Sequence, residues 1–216
     1  MNKKKFITVA IDSEASAGGG TQAKLISMHY NLYYLDTGKI YRYIAFLKKK
    51  YPKKFGYSYL KNKINKLKIS HLQNKALLTE EIGSIASQIA KQLKIRKLVY
   101  KFQINCAYNP PKKFYGSCLD GRDITTKIMP KAMFKFFIYA DIKIRAKRRY
   151  LELKKISSKA SFNKVLKSIK LRDKSDYQRK YSPLKRTKDQ VLINSSKLSK
   201  KACFLKIKRI MDKKLN

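Results

Sequence analysis

Short apolar runs alternate with longer amphipathic stretches along most of the chain. The apolar runs are rich in β-branched and aromatic residues, which is typical of buried strands. They are FITVAI (6–11), NLYYLD (31–36), GSCLD (116–120), MFKFFIYA (133–140) and VLINSS (191–196). Because strands that alternate with helices form parallel sheets covered on both faces, the pattern predicts an α/β fold.

The amphipathic stretches have the spacing of helices that bury one face. They cover residues 21–30, 38–50, 79–93, 95–108, 141–155, 161–176 and 198–214. Thr79 is a candidate N-cap, and the glutamates that follow it suit the positive start of a helix. Residues 51–70 are rich in lysine and only weakly patterned.

Length and composition favour one globular domain in the cytoplasm. The chain has 216 residues, of which 44 % are hydrophobic. No apolar run approaches the ~18–20 residues of a membrane helix, and the basic N-terminus leads into a short strand rather than a signal peptide. Cys106, Cys118 and Cys203 lack metal-ligand spacing, which indicates reduced thiols.

The formal charge of +40 comes from 53 basic and 13 acidic residues. Such a chain attracts phosphates in general, including those of nucleic acids. The lysines are spread along the whole chain, which is rich in Lys, Asn, Ile and Tyr, residues with AT-rich codons. Composition therefore favours genome drift combined with a phosphate-handling enzyme, and a dedicated nucleic-acid binder stays open as the alternative.

A Gly-rich loop follows the first strand and precedes the first helix, as in phosphate-binding loops. Backbone N–H groups at such a helix start attract phosphate without a side-chain charge. Gly18, Gly19 and Gly20 allow close approach, and Thr21 offers a hydroxyl to Mg²⁺. A flexible strand-to-helix turn is the alternative.

Two further clusters follow strands, at the edge where open α/β sheets place ligands. In LDTGKIYR, Thr37 offers a hydroxyl and Arg42 can hold a phosphate with two hydrogen bonds. In DGRDITT, Asp120 is predicted to act on Mg²⁺ through water, Arg122 to bind phosphate and Asp123 to accept from a base. A capped helix start and an Asp–Arg turn are the alternatives.

The C-terminal half has two basic clusters on predicted helices. Arg172, Asp176 and Arg179 share one helix face at i, i+4 and i+7, which suits a ligand with anionic and hydroxyl groups. A solvated ion-pair stripe is the alternative. The other cluster, predicted to lie near transferring phosphates or else to be a solvated basic face, is Arg145, Arg148 and Arg149.

These segments, in this order, resemble the bacterial cytidylate kinases of the P-loop nucleoside-monophosphate kinase superfamily. AIDSEASAGGGT is similar to that family's AIDGPAGSGKGT, LDTGKIYR to LDTGAMYR, and DGRDITT to DGRD-x-GT. RDKSDYQRKYSPL is similar to the family's RD-x-RD-x-R-x-x-x-PL lid, and the resemblance runs nearly end to end.

The resemblance implies a three-layer P-loop fold with a central parallel sheet, a short monophosphate-binding insert and a helical lid. One domain would cover residues 1–216, with its core at about 1–42 and 115–216, the insert at about 43–114 and the lid at about 154–184. The implied reaction uses ATP and Mg²⁺ to phosphorylate CMP or dCMP. A monomer is expected, with non-specific nucleic-acid binding at most.

The family's binding residues carry over by position. Thr37 and Arg42 would contact the acceptor phosphate, Arg122 a phosphate, and Arg172 and Asp176 phosphate and ribose. The cytosine edge would be read by Ser87, Arg96 and Asp123, with Arg179 assisting. The ATP-phosphate loop would be Ser13, Glu14, Ala15, Ser16, Ala17, Gly18, Gly19, Gly20 and Thr21.

The loop departs from the family pattern. Gly19 stands at the position of the loop lysine, Ser13 and Ser16 replace glycines, and Glu14 replaces a proline. An active kinase would need another cation; the first candidate is Lys39, and Lys24 is the second. A CMP-binding pseudokinase, a basic nucleic-acid-binding protein and a kinase for UMP or AMP stay open as alternatives.

Overall fold

The computed structural model describes residues 6–155 and 160–216. In these residues five strands form one sheet, and every neighbouring pair is parallel. The strands are β1 (Ile7–Ser13), β2 (Tyr33–Asp36), β3 (Gly116–Gly121), β4 (Phe134–Tyr139) and β5 (Val191–Asn194), in the spatial order β2-β3-β1-β4-β5. The predicted parallel α/β fold is confirmed.

Helices connect the strands. They are α1 (Gly19–His29), α2 (Gly38–Lys50), α3 (Tyr57–Asn65), α4 (Glu80–Ile89), α5 (Leu93–Tyr108), α6 (Ile142–Lys154), α7 (Phe162–Gln178) and α8 (Lys200–Leu215). Shorter turns lie at Pro52–Lys54, Ile69–Gln73, Lys75–Leu78 and Ile124–Ile128. No helix in the described ranges is long and apolar enough to cross a membrane.

Alternate residues of the central strand face two separate cores. Val9 and Ile11 belong to a cluster that includes residues of α1 and α8. Ala10, which points to the other side, belongs to a cluster with residues of α2, α4 and α5. Because side chains alternate along a strand, a strand buried on both faces is apolar throughout, as FITVAI is.

Two local predictions were incomplete. The weakly patterned segment after α2 contains α3, whose buried apolar residues are Leu60 and Ile64 alone, too few for a clear period. Residues 95–108, which the spacing predicts to continue the helix before them, belong to a separate helix, and the break between α4 and α5 lies at residues 90–92. The Arg96 Nε donates to the Ala90 carbonyl over 2.7 Å, so the break between them seats this buried guanidinium.

The carboxyl ends of all five strands lie at one edge of the sheet. Ser13 ends β1, Asp36 ends β2 and Gly121 ends β3. In open α/β sheets this edge is where ligands bind. The polar segments that follow the strands in the sequence therefore meet there.

Candidate functional site

A cavity of about 700 Å³ opens at this edge. Its walls come from the loop after β1, the start of α2, one face of α4, the segments after β3 and β5, the C-terminal half of α6 and the C-terminal half of α7. The predicted site residues that line it are Ser13, Glu14, Ser16, Ala17, Gly18, Gly19, Gly20, Thr21, Thr37, Lys39, Arg42, Ser87, Arg96, Asp120, Arg122, Asp123, Arg148, Arg149, Arg172, Asp176 and Arg179.

The loop after β1 ends in the start of α1. Gly18 precedes the helix with φ +98°, a left-handed conformation that glycine adopts freely. No side chain caps this helix start, and its first turn has no acidic residue. Its first N–H groups therefore remain available to an anion in the cavity.

Two carbonyl groups of the loop accept hydrogen bonds from side chains of other elements. Arg145 Nη1 donates to the Ala15 carbonyl over 3.1 Å, and Ser195 Oγ donates to the Ala17 carbonyl over 2.8 Å. Arg148 Nη2 donates to the Ser195 carbonyl. These contacts fix the position of the loop carbonyls.

The carboxylate of Glu14 also makes a hydrogen bond and an ion pair with other elements. Its Oε1 accepts from the Tyr177 hydroxyl over 3.0 Å, and its Oε2 lies 3.5 Å from Arg145 Nε. The ion pair offsets the negative charge that this residue adds to the loop.

Beside the loop, Asp120 and Asp36 form an acidic pair. The Tyr34 hydroxyl donates to Asp120 Oδ1 over 2.9 Å. Burial and the neighbouring Asp36 raise the pKa of Asp120 well above its usual value, while Tyr34, Arg122 and Lys39 act in the opposite direction. Two close carboxylates beside a phosphate loop are the oxygen donors that Mg²⁺ prefers, so these residues fit a divalent cation.

Four buried side chains and the half-buried Arg122 form a row of alternating charges in the cavity wall. The Arg96–Asp123 pair is 2.8 Å long, Arg179–Asp176 is 3.3 Å and Arg122–Asp176 is 2.9 Å. Arg179 Nη2 lies 3.8 Å from Asp123 Oδ1 and has no hydrogen-bond partner in the described residues. These side chains are not the solvated stripe that the sequence left open.

Beside this row of ion pairs, several guanidinium groups lie close to one another and have few acidic partners. Burial lowers the pKa of Arg172 to about 10, and the charges of Arg122 and Arg42 act in the same direction. Burial and Arg149 likewise lower the pKa of Arg42. Arg172 has no hydrogen bond or ion pair within the described residues. Cations held together in this way favour an anionic ligand.

Three predicted site residues do not line the cavity. Ala15 packs under the loop in a small cluster with α6 and α7. Arg145 is buried behind the loop and pairs with Asp173 over 2.6 Å. Lys24 is exposed and lines a separate groove of about 540 Å³ between α1 and α8. The arginine face predicted on α6 therefore reaches the cavity only through Arg148 and Arg149.

Several residues that shape the site were not predicted from the sequence. Asp12 accepts hydrogen bonds from the N–H groups of Ile124 and Thr125, at 2.7 and 3.0 Å, and so holds the segment after β3. Asp173 ties α7 to the loop through the Ala15 N–H. An aspartate in an otherwise apolar strand was a signal for Asp12, and the first RD of the lid motif was a signal for Asp173.

The chain matches a family model and many curated proteins. The model described as cytidylate kinase matches residues 9–213. A cytidylate kinase of Bartonella tribocorum is 39 % identical over 206 residues, which cover 93 % of this chain and 92 % of that protein. A cytidylate kinase of Clostridium tetani is 37 % identical over 217 residues, covering 95 % and 94 %.

A solved structure agrees with the fold. An uncharacterized protein from Eubacterium ventriosum superposes with a TM-score of 0.52 at 18 % identity, covering 95 % of this chain and 98 % of that one. At this identity the likeness supports the architecture alone.

Proposed function

The chain belongs to the cytidylate kinase family, and from this premise we propose that it transfers the γ-phosphoryl group of ATP to CMP and dCMP. One observation carries the proposal: a single cavity joins an uncapped phosphate loop to a half-buried cation cluster and a buried Arg–Asp pair. The pseudokinase and nucleic-acid-binding alternatives are not favoured by this family.

The loop and the cation cluster would hold the two reacting phosphates. The β- and γ-phosphates of ATP would lie at the start of α1, and the acceptor phosphate would lie among Arg42, Arg122 and Arg172. An acceptor phosphate oxygen attacks the γ-phosphorus, the bond to the bridging oxygen of ADP breaks, and no covalent protein intermediate is needed. The protein supplies position and charge.

The Arg96–Asp123 pair would read the base, with Ser87 nearby. Cytosine presents an amino donor where uracil presents a carbonyl acceptor. A carboxylate such as Asp123 accepts from the former and repels the latter. Asp176 would accept from a ribose hydroxyl. Arg179 Nη2, which lies 3.8 Å from Asp123 but has no hydrogen-bond partner in the described part of the chain, would gain one.

Lys39 is the proposed substitute for the missing loop lysine. It is the second residue of α2, it lines the cavity, and its ammonium group has no ion pair within the described residues. Its backbone N–H donates to Asp36, which fixes the start of the helix that carries it. Lys24 lies outside the cavity, so we do not propose it as the substitute cation.

Mg²⁺ would be held by the Thr21 hydroxyl and, through water, by Asp120. When bound with ATP, the ion neutralises charge on the β- and γ-phosphates. The chain's own part is to keep Asp120 beside the loop: its Oδ2 lies within 3.3 Å of where a β-carbon at Gly20 would be.

The base-reading proposal is tested by kcat/KM for CMP, dCMP, UMP and AMP at saturating ATP. Rejection of UMP by at least about 10²-fold is expected, since the mismatch would leave buried polar groups unpaired. Ser87→Ala should raise the KM for CMP and leave the KM for ATP unchanged. Ser84→Ala, on the exposed side of the same helix, is the matched control. Equal kcat/KM for CMP and UMP would contradict the assignment.

A further inference from the structure

Two departures in the loop, Ser13 and Gly19, are neighbours in space. A β-carbon at position 19 would lie 2.7 Å from the Ser13 β-carbon and closer still to the Ser13 hydroxyl. Real β-carbons essentially never come this close to another heavy atom. A serine at 13 and any side chain at 19 therefore exclude each other unless the backbone moves.

The backbone at this point has little room to move. Ser13 is the last residue of β1, is only 3 % exposed and pairs with Ile138 of β4. Gly19 is buried at the first position of α1. Both positions are thus fixed by regular structure on either side of the loop.

The Ser13 hydroxyl has no hydrogen-bond partner among the described residues, and Ser13 lines the cavity. Because the hydroxyl is accessible from the cavity, it is free to donate to an oxygen of a bound phosphate. The Ser13 side chain thus takes up the space that a side chain at position 19 would use.

We propose that the departures from the family pattern at positions 13 and 19 depend on each other. The Ser13 hydroxyl donates to a phosphate oxygen of the donor nucleotide, and position 19 must be glycine because the Ser13 side chain occupies the space beside it. The proposal rests on the proposed function only in naming the donor nucleotide. The hydroxyl is neutral, so Ser13 positions the phosphates and adds no charge.

The steric part is tested by a double-mutant cycle on the full chain. Gly19→Lys alone should lower the melting temperature by roughly 3–10 °C, because it overpacks the loop. Ser13→Gly combined with Gly19→Lys should recover most of that loss. A Gly19→Lys protein that melts like the double variant would overturn the coupling.

The hydroxyl is tested with Ser13→Ala, which keeps the β-carbon and removes the oxygen. The KM for ATP should rise about tenfold, as for a hydrogen bond to a charged group, with the KM for CMP unchanged. Ser70→Ala, an exposed serine outside the cavity, is the matched control. An unchanged KM for ATP would overturn the role of the hydroxyl.

Binding of inorganic tripolyphosphate distinguishes a failure of this inference from a failure of the proposed function. Its effect on the melting temperature needs no turnover. Tripolyphosphate should raise the melting temperature of the unaltered chain by more than that of Ser13→Ala. Equal shifts would overturn the inference, even in a protein that phosphorylates CMP.

Discussion

At the scale of single residues, the sequence identified most of the side chains that line the cavity but not what they touch. Arg96, Asp123 and Arg179 were placed through short motifs, and they meet in one ion chain. The partners of Asp12 lie 112 and 113 positions away, and no local pattern shows a contact of that length. Side-chain type is local information, whereas hydrogen-bond partners depend on the tertiary fold.

Replacing Lys39 tests the proposed substitute cation. Lys39→Ala should lower kcat by roughly 10²–10³-fold, the cost of one preorganised charge-stabilising group. The KM values should change less, because the charge is needed most in the transition state. Steady-state kinetics with ATP and CMP check this, with Lys24→Ala as the matched control. Equal turnover in both variants would remove Lys39 from the mechanism.

Asp12 gives a pH dependence of stability. Burial raises the pKa of its carboxyl to about 6, above the usual 3.8, so folding favours its protonated form. Its contribution to stability is therefore full below about pH 4 and is lost as pH rises through about 6, a difference of roughly 3 kcal/mol in total.

The measurement is urea unfolding of the unaltered chain and of Asp12→Asn. The deficit of the variant should be about 2 kcal/mol smaller at pH 7.5 than at pH 4.5, because only the unaltered chain carries the cost of ionisation. A deficit that is the same at both pH values would show that Asp12 does not titrate in this way.

At the scale of elements, strands and long helices followed from periodicity, and breaks did not. The residues of α2 were predicted from Gly38 to Lys50 and are found there. At the break between α4 and α5, Arg96 donates to the Ala90 carbonyl, six residues earlier. A hydrogen bond of this kind leaves no change in apolar spacing.

The link between α7 and the loop is an element-scale contact with a measurable effect. Asp173 accepts from the Ala15 N–H and pairs with Arg145, whose side chain is only 5 % exposed. Asp173→Ala should lower the free energy of unfolding by about 2–4 kcal/mol, because it leaves a buried charge with a weaker partner.

Urea unfolding checks this value. Glu81→Ala, which removes an exposed partner of Lys49, is the matched control and should change stability by less than about 1 kcal/mol. Equal effects of the two variants would mean that the contact does not tie the helix to the loop.

At the scale of the whole molecule, the parallel sheet was predictable because alternating strands and helices permit few arrangements. The strand order and the cavity were not, since both arise from how distant segments pack. The aromatic residues of β4 illustrate the limit of composition. Phe134, Phe136 and Phe137 are at most 4 % exposed, so they offer no stacking surface to nucleic-acid bases.

The charge of +40 should therefore produce only salt-sensitive, sequence-independent binding to nucleic acid. Fluorescence anisotropy with DNA and RNA oligonucleotides of unrelated sequence should show a fall in affinity of at least about 10²-fold between 50 and 200 mM salt. Affinity that survives this change, or that distinguishes the sequences, would indicate a dedicated nucleic-acid site.

The most direct test of the proposed kinase activity is the release of ADP from ATP and Mg²⁺ by the unaltered chain, in a coupled assay with CMP or dCMP as acceptor. We expect sustained turnover, on the order of 1–100 s⁻¹, which is typical of kinases. No turnover with either acceptor, in a protein whose melting temperature CMP still raises, would contradict it and would mean that a loop without its lysine binds but does not transfer.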